Sequence, residues 1–315
     1  MAIRRVQNKI AESRLILPVT ALFGIGIWLL GGLIQHHWWI QFVCYALSTA
    51  IMVEINRGNA LIRISSRSVS ATFIILSCVA CYLFPSMETG ITMLCLTLSL
   101  LILLKTFQDP EAAGWIFYVF LLIGLISLMK VQALWLVPLY WLVMAICISS
   151  LGWRTFMASL LGLILPYFYL LGIVIFRYKE NLSPFTDHFL PLGEFIFPYD
   201  YSQVPLPHIL TYGFLVILTL TGIIHFLRTS YNDKIRTRQF YYSFMLFNLA
   251  VFILIALQPQ HFELLVPMAI ISTSPLIAHF ITLTHTKVTN IAFFAILISA
   301  FALIGFNLWT SLFSS

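Results

Sequence analysis

Charge is scarce in this chain. Of 315 residues only 9% are Asp, Glu, Lys or Arg, whereas 61% are hydrophobic. A soluble domain carries roughly a quarter charged residues, so a soluble globule is excluded: too little charge is available to coat its surface. Strict apolar/polar alternation is also missing, which argues against the short strands of an outer-membrane barrel. Cysteine is sparse and badly placed for a disulfide framework. Cys44, Cys78, Cys81, Cys95 and Cys147 all fall inside apolar runs and read as small hydrophobes. Cys78 and Cys81 form a C-x-x-C, but it lacks the basic or histidine neighbours that lower a thiol pKa.

What is present is a succession of apolar runs about 20 residues long. That length matches a hydrocarbon core of roughly 30 Å crossed at 1.5 Å per helical residue. The expected architecture is therefore all-α: a polytopic transmembrane bundle of about 11 spans, forming one integral membrane domain over residues 1–315. The first run, Leu15 to Ile34, is too long for a signal peptide and has no small-residue cleavage site, so it reads as helix 1. The other helices are expected at 38–54, 68–84, 89–105, 110–129, 131–149, 153–176, 208–227, 240–257, 262–283 and 288–309. Asp109 before Pro110, with Glu111 following, predicts a capped start for the fifth helix. No internal repeat marks two inverted halves.

The basic residues give the expected polarity. With the N-terminus in the cytoplasm, only Lys130, Arg177 and Lys179 of the 17 lysines and arginines fall outside. That is the asymmetry of the positive-inside rule, and it places the C-terminus outside. The net charge of +6 then reflects orientation and contact with anionic membrane lipids; no nucleic-acid partner is expected.

One segment, residues 177–207, is too polar to sit in a bilayer and reads as a long extracytoplasmic loop. It carries Glu180, Asp187, Glu194 and Asp200, and Glu88 and Glu263 lie in short turns on the same side. The plain explanation is that acids collect where bases are excluded. The sharper one is an outward cavity in which an acid acts as base and Lys130 holds an anion. His36, His37, His188, His208 and His261 share that face but show no H-x-x-x-H spacing, so no metal site is expected and no cofactor is assigned. Within the spans, His279 is the main ionisable candidate for a transport path, with His225 near a helix end. Asn248 and Asn307 are placed to hydrogen-bond between helices.

Two resemblances follow from particular stretches. Gly124 to Pro138, GLISLMKVQALWLVP, is a small-residue helix ending in a cation, followed by an apolar helix with an early proline. Together with Trp153-Arg154, Gly162 and Pro166, and with His261 to Pro267, HFELLVP, it resembles the GT-C-type membrane glycosyltransferases. The likeness covers about a third of the chain. It implies binding of a polyprenyl-phosphate-linked sugar on the outer side. Lys130 or Arg177 would then hold the phosphate, His261 would line the site, and Glu88, Asp187, Glu194 or Glu263 would supply the base. The chain departs from that pattern in its first outer turn, Gln35-His36-His37, which has no acid. Glu111-Ala112-Ala113-Gly114 and Trp153-Arg154 also look like a family of Bacteroidota inner-membrane proteins. That likeness implies the cell inner membrane as compartment, and no activity. The alternatives to an enzyme are a subunit that scaffolds an envelope assembly with a membrane protein partner, and a transporter of lipid or small solute.

Overall fold

The computed structural model describes residues 6–178, 183–193, 199 and 201–313. Every described regular element is helical. A short α1 (Val6–Glu12) precedes α2 (Ile16–Leu30), α3 (Trp39–Asn59), α4 (Ser68–Val79), α5 (Met87–Lys105), α6 (Ala113–Met129) and α7 (Leu136–Val143). Then come α8 (Trp153–Tyr178), a five-residue α9 (Ser183–Asp187), α10 (Leu206–Thr229), α11 (Ile235–Leu257), α12 (Phe262–Leu283) and α13 (Lys287–Phe313). Each expected apolar run forms a helix. Among the described residues, eight helical stretches are long and apolar enough to cross a membrane. The others, α2, α4 and α6, have 15, 12 and 17 residues. A 12-residue helix reaches only about 18 Å, short of a full hydrocarbon core.

The helix ends differ from the sequence expectation where tertiary contacts intervene. Helix α3 runs on to Asn59 and stops at Ala60, which takes left-handed φ of 46°. Asn56 and Arg57 are thus helical, and Asn56 Nδ2 donates to the Ser66 carbonyl at 2.7 Å, closing the following loop. Asp109 does not cap α6. Its Oδ1 accepts from Glu111 N at 3.0 Å within a turn, while Gln108, at φ 58°, donates its amide to the Ile148 carbonyl at 2.8 Å. That tie holds 108–112 as a turn, and the helix begins only at Ala113. The run 131–149 starts as a 3₁₀ segment, Val131–Trp135, and ends as a π segment, Met144–Ile148. The long loop is partly structured, with α9 and 3₁₀ turns at Leu190–Gly193 and Tyr201–Gln203.

Helix α12 is the axis of the bundle. Nearly all its residues are buried, and α4, α5, α10 and α11 pack around it. Polar side chains stitch this core by hydrogen bonds between helices. Thr219 of α10 meets Thr273 of α12 at 2.8 Å, and Thr273 donates to Asn248 Oδ1 of α11 at 3.0 Å. Asn307 of α13 donates to the Val79 carbonyl at 2.6 Å. Both asparagines thus bond between helices as their positions suggest. The five cysteines are free and buried.

Two glycines set close helix approaches. A Cβ on Gly222 of α10 would lie 2.9 Å from the Leu276 carbonyl carbon of α12. A Cβ on Gly162 of α8 would fall inside the Phe117 carbonyl oxygen of α6 and 3.0 Å from Leu121 N. These are backbone atoms and cannot step aside. Gly162→Val is therefore expected to push α8 from α6 and to cost about 1–3 kcal/mol. Thermal unfolding of the detergent-solubilised protein reads this out, and an unchanged midpoint would refute the close approach.

Candidate functional site

The bundle has two polar ends of different character. At the first end lie α1 and the α3–α4, α5–α6, α7–α8, α10–α11 and α12–α13 connections. Gln7 Nε2 donates to the Ile281 carbonyl at 2.5 Å, and Ser66 Oγ to the Ala11 carbonyl at 2.6 Å, joining α1 to this end. Arg236 donates to Asn59 Oδ1 at 3.2 Å and stacks over Phe107 and Phe240. Arg154 pairs with Glu111 at 3.1 Å. Bases from five separate connections are thus gathered at one end of the molecule.

Here the structure builds a charge network that the sequence reading missed. Asp233 sits in the α10–α11 connection between Asn232, the last residue of a 3₁₀ turn, and Lys234. Its side chain is fully buried. Asp233 Oδ1 accepts from Arg63 Nε at 2.7 Å, and Oδ2 lies 3.2 Å from His279 Nε2. A carboxylate only accepts, so Nε2 of His279 carries the hydrogen and Nδ1 is left without a partner. His225 of α10 lies beside it, ring centroids 5.3 Å apart, and its Nε2 is also buried and unpaired. Tyr241 and Phe226 close the cluster edge-on to His279 at 4.9 and 5.3 Å. His279 was legible as an ionisable group within a span. Asp233 was hidden among Arg228, Lys234, Arg236 and Arg238; its one mark in the sequence is being the sole acid of that basic loop.

The opposite end holds the residues marked as ligand-binding or catalytic candidates. Lys130 Nζ pairs with Glu88 Oε2 at 3.4 Å, joining the end of α6 to the first turn of α5. His261 ends a 3₁₀ turn, Pro259–His261. It lies within electrostatic range of Lys130, packs edge-on to Trp135 at 5.1 Å, and meets Gln260 Nε2 at 3.1 Å. Pro259 of the same turn and the following Phe262 line an apolar groove of about 340 Å³ with Tyr201, His208, Tyr212 and Ile255. Tyr201 Oη donates to the Ala256 carbonyl at 2.7 Å, fixing the loop over this groove.

The remaining candidates are dispersed. Glu263 is half-buried in the first turn of α12 and makes no ion pair with a described residue. Asp187 is exposed at the end of α9, and Arg177 is exposed near the end of α8 beside Phe176 and Ile173. Glu194 lies outside the described residues. His188 does not approach His261; its Nε2 donates to the Ser127 carbonyl at 3.0 Å and anchors the loop on α6. Among the described residues no three His, Cys, Asp or Glu side chains converge to hold a metal ion. No family model, curated protein or solved structure matches the chain.

Burial opposes ionisation of Asp233, but the hydrogen bond and charge of His279, and then Arg63, outweigh it and hold its carboxyl below the ordinary value. A carboxyl depressed in the folded state stabilises the fold above its unfolded value of about 3.9 and loses that contribution as pH falls through the folded value. The midpoint of thermal unfolding is therefore expected to drop below about pH 4. Asp233→Asn is expected to weaken this acid limb and to cost about 1–3 kcal/mol at neutral pH, since it strands His279 while Arg63 turns to water. An acid limb unchanged in Asp233→Asn would show that the network does not govern acid stability.

Proposed function

We propose that the protein is a multi-pass inner-membrane protein that binds a lipid with a phosphate-bearing head at its Lys130 end, handling a polyprenyl-phosphate-linked sugar as GT-C enzymes do. The N-terminus and the basic end would face the cytoplasm, and the Lys130 end would face outwards. About 11 passes would follow if α2, α4 and α6 cross with their flanking turns. One observation carries the reading: a single turn, Pro259–His261, separates an apolar groove from a cation. The first isoprene units of a polyprenyl chain would lie in the groove between Tyr201, Tyr212 and Ile255, and its phosphate would reach Lys130 and His261 around the turn. Phosphate would displace Glu88 from Lys130 through charge-assisted hydrogen bonds. Glu88, freed beside the bound phosphate, is then the acid placed to accept a proton from an acceptor hydroxyl.

The test is native mass spectrometry of the purified protein with polyprenyl phosphate against phosphatidylglycerol. Selective retention is expected, and Lys130→Ala should weaken it about tenfold, near 1.4 kcal/mol. Equal retention of both lipids, or retention indifferent to Lys130→Ala, would overturn the reading. Once binding is shown, sugar transfer abolished by Glu88→Gln with binding kept would establish the base.

A second reading, transport, is favoured by the buried Asp233–His279 pair, because ionisable groups inside a bundle mark proton paths. Proteoliposomes under an imposed potential should then pass protons, and His279→Gln should stop the flux. Flux equal to that of empty liposomes would remove the carrier.

A further inference from the structure

A second cavity lies away from the groove and the Lys130 cluster. It is a cleft of about 650 Å³ at the basic end, between the end of α3, the 60–67 loop and the start of α4. Arg57, Arg63 and Arg67 all line it, with Ser65, Ser66 and Ser70 between them, and no carboxylate is among the lining residues. Arg57 and Arg67 are exposed and have no hydrogen-bond or ion-pair partner among the described residues. Arg63 is different: its Nε is fixed by Asp233, and the rest of its guanidinium fork has no partner among the described residues. One arginine is therefore held in position from beneath by a buried carboxylate, and two flexible ones flank it.

Two further features point to an anion. The side chain of Arg67, the residue preceding α4, does not cap the helix. The first backbone bond of this turn is Ala71 N to the Arg67 carbonyl at 3.1 Å, and Ser68 N is met by Ser66 Oγ at 3.1 Å. Among the described residues the amides of Val69 and Ser70 meet no acceptor, and Ser70 lines the cleft. A helix start with free amides under three guanidinium groups suits a group with several negative oxygens. The rim is apolar, with Leu17, Val53 and Ile62 in the lining. A chain attached to the anion could pass there into the hydrocarbon beside α2 and α3.

We propose that this cleft is a phosphate-binding site, distinct from the Lys130 end, that holds a terminal phosphate group between Arg57, Arg63 and Arg67 and the first turn of α4. The phosphate is either free in solution or the head of a lipid such as phosphatidic acid. Since Arg63 bridges the cleft and Asp233, occupancy also tightens the α3–α4 and α10–α11 connections against each other.

The experiment uses the full chain in phosphatidylcholine nanodiscs and reads thermal unfolding and ligand retention. One arm adds inorganic phosphate or pyrophosphate; the other replaces part of the lipid by phosphatidic acid. A rise in the unfolding midpoint in either arm is expected and names the source: a rise with phosphate assigns a soluble ligand, and a rise with phosphatidic acid alone assigns a lipid. Arg57→Ala with Arg67→Ala should weaken the retained ligand at least tenfold. Neither residue has a partner among the described residues, so the unliganded midpoint should stay in place. Arg67→Glu should abolish retention. No stabilisation in either arm, or retention unchanged in the double variant, would overturn the proposal. Lys130→Ala should leave this binding intact, so its failure and that of the groove are told apart.

Discussion

The tertiary structure turns on one buried carboxylate. Asp233 is withdrawn completely from water, a cost of several kcal/mol for an isolated ion unless partners are placed around it. The partners come from remote parts of the chain: Arg63 from the α3–α4 loop and His279 from the central helix, 46 residues away from Asp233 in sequence. Satisfying one group therefore fixes three segments at once. It also sets the register of α12 against α10, because His279 faces its partner just under one helical turn beyond Leu276, where Gly222 brings the two backbones close. The same contact aims the arginine. With Nε committed inwards, the outer part of the Arg63 guanidinium is turned towards the cleft.

Between the two polar ends the bundle relies on different forces. Lipid removes the hydrophobic drive for helices to associate, so shape and hydrogen bonds carry more of the burden. Gly162 and Gly222 supply close backbone approach. Thr219, Thr273 and Asn248 form a thread across three helices, and Asn307 ties α13 to the end of α4. Tyr140 meets Ser99 at 2.7 Å, joining α7 to α5. These hydroxyls and amides would be costly in hydrocarbon unpaired. Each interlocks a pair of neighbours and leaves the two ends free to carry charge.

The ends are chemically opposed. One collects arginines from several loops around a single buried acid and opens as a polar cleft. The other is poor in cations, and its Lys130 is already matched by Glu88 beside an aromatic groove. That contrast underlies both proposals: a phosphate site set among guanidinium groups and free amides, and an amphiphile site with its head and tail on opposite sides of one turn.

Much of this molecule was legible without a structure. Scarce charge and apolar runs of spanning length dictate a helical membrane protein, because such a chain can satisfy its backbone in lipid only within helices. The positions of most helices follow from the same runs, and the mid-span polar residues Asn248, Asn307 and His279 stand out because hydrocarbon makes them costly. Helix ends were less legible. Ala60 and Gln108 adopt left-handed backbone for reasons of contact that local propensity does not carry. The network around Asp233 was not legible, since its members are far apart in sequence and each looks ordinary in its own loop. Convergence of Arg57, Arg63 and Arg67 on one cleft, and the pairing of Lys130 with Glu88, likewise depend on which helices are neighbours. Composition and periodicity determine what the chain must hide from water or lipid; only the packing of remote segments decides which charges meet.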